Sequence, residues 1–307
     1  MNLWRAAAAS FIAFTAVVVV HGQAASTTRP VQTYGAGPVA VGIRQGSEAV
    51  VLQADGRAYT MNLASGAVGS WSYRIPSGYQ AVDTTAGIVR GNPVTCFSLN
   101  SRGSKQSGSY ILQVTDDKRE IWTYLRVPGV YVGLALEPAR GMVYVANSST
   151  NQIFGAAIGD QHARPVRIAS IPGAGRIGAL AIAPSTRRLY ASDMSAPRLY
   201  TIELNTGEVK VVDAAVEEAR AIAWDGVSKR LFIADSGNEA IMVIDPNARV
   251  PRLERVINEK GLRDPSGLTV APDGTLWVAD ESARSIFQIA VDSRTIKRTV
   301  RWNPPKS

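Results

Sequence analysis

One cysteine, Cys96, stands in 307 residues, which rules out an internal disulfide and any cluster of cysteine ligands around a metal. Histidine is almost as scarce. Of the two present, His21 falls in the N-terminal leader and His162 is left alone in the rest of the chain, too few for histidine-based zinc chemistry. Past the leader, no apolar stretch approaches the ~20 residues of a spanning helix. Dense blocks of one charge are missing too. The net charge is +8, one unit lower without Arg5, and the only close basic run is Arg294, Lys297, Arg298 and Arg301 at the C-terminal end. With no basic stripe and no reading module, a nucleic-acid partner is excluded.

The leader itself is legible. Arg5 precedes a largely apolar stretch from Ala6 to Val20, followed by small residues at Gly22, Ala24 and Ala25. That pattern marks a removable signal peptide over residues 1–25, too short in its apolar part for a membrane anchor. The expected mature chain is secreted or periplasmic, monomeric, and a single domain over residues 26–307. With no disulfide available, its stability must come from a buried core, which a chain of this length can supply.

The strongest signal is internal repetition. Four segments align almost without gaps: GLALEPARGMVYVAN (133–147), GALAIAPSTRRLYASD (178–193), RAIAWDGVSKRLFIAD (220–235) and GLTVAPDGTLWVAD (267–280). Each reads as an apolar strand, a polar turn, and a second strand ending in Asp or Asn. Weaker copies end at Asp55 and Asn100, giving six anchors (Asp55, Asn100, Asn147, Asp193, Asp235, Asp280) at intervals of 42 to 47 residues. Third strands follow, as in RLYTIEL (198–204), AIMVIDP (240–246) and SIFQIAV (285–291). Fourth strands follow in EIWTYLRVP (120–128), VRIASI (166–171), VKVVDA (209–214) and IKRTVRW (296–302). Four strands per unit of this length is the signature of a propeller blade. The fold expected is all-β, a six-bladed β-propeller with four antiparallel strands per blade, closed by residues 27–43 lying beside 296–302. The repeated Asp and Asn are expected to bond backbone N–H groups of turns and not to form a metal ring, because a job done six times is structural.

The segment DPSGLTVAPDGTLWVADESARSIFQI (264–289) resembles an NHL-type repeat. The wider pattern, over most of the chain, is similar to the senescence-marker-protein/gluconolactonase family of six-bladed propellers. That resemblance implies one divalent cation at the propeller mouth, held by oxygen ligands just ahead of innermost strands, and hydrolase or lactonase activity. Where the family's motifs carry Glu, Asn, Asn and Asp, this chain carries Ala36, Tyr131 or Val132, Arg220 and Ser266, with Asp264 and Glu48 nearby in sequence. A hydroxyl and a permanent cation are a poor set for a hard divalent ion.

His162, in Gly159-Asp160-Gln161-His162-Ala163, reads as a surface histidine on an outer loop, and Cys96 as a core residue. One constellation remains. The loops entering the innermost strands carry Arg44, Arg176, Arg220 and Arg263, with Tyr131 and Ser266 at equivalent places, and several guanidinium groups at one rim favour a carboxylate or phosphate. The expected function is therefore a non-catalytic exported propeller, without a cofactor, that binds a small anionic molecule or an exported partner protein at the channel mouth. Its expected ligand-binding residues are Arg220, Ser266, Arg176, Tyr131, Arg263 and Asp264. The alternative is a gluconolactonase-like hydrolase with a divergent site and a divalent cation such as calcium, or a metal-free variant resembling strictosidine-synthase-like propellers.

Overall fold

Short runs rich in β-branched and aromatic residues, separated by Gly, Pro, Asn and Asp, favour strands joined by tight turns. In the computed structural model, which describes residues 37–102, 108–257 and 261–304, these runs form 24 strands. Blade I holds β1 (Pro38–Gln45), β2 (Glu48–Gln53), β3 (Arg57–Asn62) and β4 (Val68–Arg74); blade II holds β5 (Tyr79–Val89), β6 (Asn92–Ser101), β7 (Ser109–Thr115) and β8 (Glu120–Leu125). Blade III holds β9 (Tyr131–Glu137), β10 (Met142–Asn147), β11 (Gln152–Ala157) and β12 (Val166–Ser170); blade IV holds β13 (Ile177–Ala183), β14 (Arg188–Asp193), β15 (Arg198–Glu203) and β16 (Val209–Asp213). Blade V holds β17 (Ala219–Asp225), β18 (Arg230–Asp235), β19 (Ala240–Ile244) and the short β20 (Glu254–Arg255); blade VI holds β21 (Pro265–Val270), β22 (Leu276–Asp280), β23 (Ser285–Ala290) and β24 (Thr295–Arg301). Each blade is one four-stranded antiparallel sheet in chain order.

The first strand of every blade is innermost, and these six touch in a ring: β1, β5, β9, β13, β17, β21 and back to β1. The repeated segments therefore take the places expected of them. Apolar side chains gather into six clusters, one between each pair of neighbouring blades. Cys96 is fully buried in the cluster between blades II and III, where burial pushes its thiol up to about 12.

Four of the six anchors do the expected structural work. Asp193 accepts N–H bonds from Gly175, Arg176 and Ser195, plus the Tyr200 hydroxyl. Asp235 accepts from Glu217, Glu218 and Asn238, and Asp280 from Arg263, Asp264 and Ala283. Asn147 accepts from Ser149 and Thr150 and donates to the Pro128 carbonyl. Each thus ties the loop entering its blade to the turn after its second strand. Asn100 works differently, clasping both the N–H and the C=O of Tyr131 in the next blade. Asp55 is misassigned: it is exposed and engages Arg57 alone, through its N–H and its guanidinium, while Gln53, opposite Pro38, holds the position that Asp280 holds opposite Pro265.

Of residues 27–43, expected beside the last blade near 296–302, those from 37 onward are described, and they lie against that blade at its innermost strand. Residues 38–43 lie in β1, paired with β2 and packed against β21, and the described strand beside β24 is β23 of its own blade. Blades VI and I close face to face: Trp302 meets Tyr59 edge-on at 6.3 Å, and Arg298 donates to the Ala64 carbonyl at 2.6 Å. Residues 27–36, the signal-peptide segment and Ala36 fall outside the described residues. Among those described, no helix is long and apolar enough to cross a membrane.

Candidate functional site

All six inner strands run the same way along the channel, so their N-terminal ends share one entrance. Near that end every inner strand carries a β-bulge against its neighbour: at Pro38/Ala40, Ala81/Asp83, Tyr131–Leu134, Ile177/Leu180, Ala219/Ala221 and Pro265/Gly267. A bulge inserts one extra residue and re-aims the side chains beside it. Six bulges at one height therefore define two rings of equivalent positions. The extra residues are Val39, Val82, Val132, Gly178, Arg220 and Ser266. The next ring is Ala40, Asp83, Gly133, Ala179, Ala221 and Gly267. In this second ring neighbouring strands approach closely: a Cβ on Gly133 would stand 2.6 Å from the Ala179 Cα, and one on Gly267 2.6 Å from the Ala40 Cα. At Gly133 and Gly267 a side chain of any size would force the neighbouring strand to shift.

Inside the ring lies a cavity of about 210 Å³ lined by all six inner strands. A wider groove of about 780 Å³ opens between blades V and VI, but only two blades line it. The channel is the place where every repeat converges, so it is the candidate site.

Arg220 lines this cavity, three-quarters buried. Its Nη1 lies 3.0 Å from Asp264 Oδ1 and its Nε donates to Glu218 Oε1 at 3.3 Å. The guanidinium is therefore already compensated by two carboxylates. Glu281 stands in the same neighbourhood; burial and then the Asp264 carboxylate push its pKa up, Arg220 pulls it down, and Asp280 adds a further upward push. Arg176 and Arg263, on the loops entering blades IV and VI, are exposed at the same entrance and make no ion pair with a described residue. Their backbone N–H groups are fixed by Asp193 and Asp280. The anchors thus place the two arginines at the rim.

The other expected ligand residues are spread differently. Tyr131 is fully buried and its hydroxyl donates to the Val127 carbonyl within the core between blades II and III. It does not reach the mouth, because the bulge turns the first residue of β9 into the blade. Ser266 sits in the extra-residue ring, its hydroxyl turned to the carbonyls of Pro38 and Ala279. Asp264 is engaged with Arg220. Arg44 lies at the far end of β1, buried against the Trp71 ring and paired with Glu48 and Asp116, so it is absent from the entrance. His162 is on the exposed loop between β11 and β12.

A divalent cation of the kind the family resemblance implies needs several oxygen ligands with carboxylate charge. The positions that would supply them hold a guanidinium, a hydroxyl committed to two main-chain carbonyls, and a buried tyrosine. Glu48 is held by Arg44. No group of three or more His, Cys, Asp or Glu among the described residues is arranged to hold a metal ion. The residues present do not fit such a metal ion.

One residue escaped the sequence reading. Asp83 occupies the small-residue ring, the sole charged member of the six, and lines the channel cavity. Its Oδ1 accepts the Thr84 N–H at 2.8 Å and its Oδ2 the Leu134 N–H of the next blade at 2.7 Å. Burial pushes its carboxyl up to about 6 against the lowering effect of those two bonds. Blade II departs from the other repeats in length, its first two strands running to 11 and 10 residues.

Comparison with known proteins places the fold. A family model described as SdiA-regulated matches residues 193–302. No curated protein sequence matches the chain. Among solved structures, a chain from a nidogen/laminin complex superposes with a TM-score of 0.66 at 13% identity, covering 80% of this chain and 90% of that one. Virginiamycin B lyase from Staphylococcus aureus, in a complex with quinupristin, gives 0.62 at 13% identity over 87% and 85%. An auxiliary nutrient binding protein from Bacteroides thetaiotaomicron gives 0.61 at 12% identity over 82% and 68%. At these identities the likeness is one of fold: this chain is a six-bladed β-propeller.

Proposed function

We propose that the protein is an exported, non-catalytic propeller that binds a small anionic molecule at the channel entrance. The observation that carries this reading is the pair of exposed guanidinium groups, Arg176 and Arg263, without an ion-pair partner among the described residues, flanking the blade that carries Arg220. Free arginines at one rim offer bidentate, charge-assisted bonds to a carboxylate or phosphate, while the compensated Arg220 sets orientation more than net charge. The leader sequence supports export. The superposed propellers include a nutrient binding protein and a chain from a nidogen/laminin complex, so binding of small molecules and of proteins are both within the reach of this architecture. A metal-dependent hydrolase is not favoured, because the donor atoms at the family's ligand positions do not fit.

The test is titration of the wild type and of Arg176→Ala, Arg263→Ala and the double variant with sugar acids and sugar phosphates at low salt. At least one anion is expected to bind, with affinity falling tenfold or more in the double variant and with rising salt. Equal affinity in all four proteins, or no binding by any anion, overturns the reading and leaves a protein partner as the next hypothesis.

A further inference from the structure

Asp83 stands apart from the anion reading, which rests on the rim arginines. Five of the six blades build the second channel ring with Gly or Ala (Ala40, Gly133, Ala179, Ala221 and Gly267), so the fold does not require a carboxylate at this height. Three of those five carry a Cβ, so the ring also accepts alanine. The Asp83 carboxylate is committed to two backbone N–H groups, and a carboxylate has about four lone-pair sites. Among the described residues it has no cationic partner. The only other charged side chain lining the cavity, Arg220, is held by Glu218 and Asp264. Arg44, the charged residue of adjacent β1, is turned away into its pairs with Glu48 and Asp116. The channel thus presents one uncompensated anionic group.

We propose that Asp83 receives the ammonium group of a small organic monocation inside the central channel. The remaining wall decides between an organic and an inorganic cation. Asp83 is the only carboxylate among the side chains lining the cavity, with β1 and β9 on either side, and a single carboxylate does not supply the charge compensation that a stripped divalent metal ion needs. An alkylammonium carries a single positive charge and asks for only one carboxylate. At roughly 30 Å³ per water molecule, a cavity of about 210 Å³ holds a ligand of a few heavy atoms. Burial that raises the carboxyl to about 6 is the cost that such a cation would offset, since an opposite charge beside it favours the ionised form.

The experiment is a titration followed by the backbone amide resonances of Thr84 and Leu134, the two groups bonded to the Asp83 carboxylate. The probes are n-propylammonium, 1-propanol and potassium ion, at pH 8 and pH 4.5, on wild type, Asp83→Asn and Asp83→Ala. At pH 8 n-propylammonium is expected to saturate the wild-type shifts, with affinity at least tenfold weaker at pH 4.5 and in both variants, and propanol to produce no comparable shift. Asparagine keeps the shape and one acceptor, so the proposal stays testable if the alanine variant does not fold. Potassium binding as well as the amine would assign the site to inorganic cations and overturn the proposal. So would an amine that leaves the wild-type shifts unmoved, or one that binds the asparagine variant equally.

Discussion

Replacing Asp83 by Asn should remove one specific pH dependence from the stability of this protein. Burial raises the carboxyl from 3.8 to about 6 in the folded chain, with no charged neighbour among the causes and two backbone hydrogen bonds acting the other way. Between those values the folded protein holds a proton that the unfolded chain has released. The linked contribution therefore favours folding at low pH and is lost as pH rises through about 6. At 1.36 kcal/mol per pKa unit, the full swing is about 3 kcal/mol, an upper figure because Asp83 keeps a partly exposed edge toward the channel.

The absolute effect of the variant at one pH is a poor test. Asn accepts with one oxygen where Asp83 accepts with two, so either the Thr84 or the Leu134 N–H is left facing an amide, at a cost of about 1–3 kcal/mol. That cost does not depend on pH, and the change with pH is clean. Equilibrium urea unfolding at pH 4, 5, 6, 7 and 8 should show the stability of Asp83→Asn relative to wild type improving by about 2 kcal/mol from the lowest to the highest pH, most of it below about pH 6.5. A difference that stays constant across the series would refute the reasoning, since every other titrating group cancels between the two proteins.

Asp235→Ala strips a fully buried acceptor from the N–H groups of Glu217, Glu218 and Asn238; a loss of about 3 kcal/mol or more is expected from orphaned buried donors, read by thermal unfolding, with Asp235→Asn retaining part of it. Gly267→Ala would drive a Cβ to 2.6 Å from the Ala40 Cα at the junction that closes the ring. Overpacking there should cost about 1–3 kcal/mol in denaturant unfolding, and an unchanged midpoint would show that blades VI and I can slide apart freely. Glu218→Gln with Asp264→Asn frees the Arg220 guanidinium, so calorimetric affinity for a sugar phosphate at low salt should rise severalfold; an unchanged affinity would remove Arg220 from the anion site.

The architecture was legible because each blade repeats the same local solution. Strand, turn and anchor recur, and the anchor's acid is recoverable from spacing wherever the entering loop needs its N–H groups bonded. The same regularity misled in blade I. Asp55 has the right chemistry and nearly the right spacing, but the strand end is Gln53, whose longer side chain was not recognised as a variant of Asp. Site residues were harder to place, since sequence position alone does not tell which way a side chain turns beside a bulge. Tyr131 and Arg220 both stand near the start of an inner strand. Yet Tyr131 precedes the extra residue and points into the core, whereas Arg220 is the extra residue and lines the channel. Arg44 was misplaced by the same uncertainty along the strand, being at its far end.

Departure from the repeat becomes informative when it is joined to charge bookkeeping. In a sixfold ring a structural requirement recurs at every equivalent position, so a demanding residue that appears once needs a separate cause. The inner strands carry five charged residues, of which Arg44 is paired with Glu48 and Asp116, and Asp225, at the position equivalent to Glu137, accepts the Val227 and Ser228 N–H groups. Glu137, at the end of β9, is fully buried, but Arg187 bonds both its oxygens at 2.8 Å, Arg140 lies 3.4 Å away and the Tyr144 hydroxyl donates to it. That network also holds Arg187 in the left-handed turn that closes the Pro184–Thr186 3-10 segment, where the matching turn of blade III uses Gly141. Glu137 is thus explained inside the fold. Arg220 is likewise completed by Glu218 and Asp264. Asp83 differs from these: its ring partners are Gly and Ala, its two hydrogen bonds are both accepted from backbone N–H groups, and no described cation neutralises it. A carboxylate held by two backbone N–H groups but neutralised by no described cation, at the one height where six strands converge on a cavity, is what a cationic ligand would require of this fold.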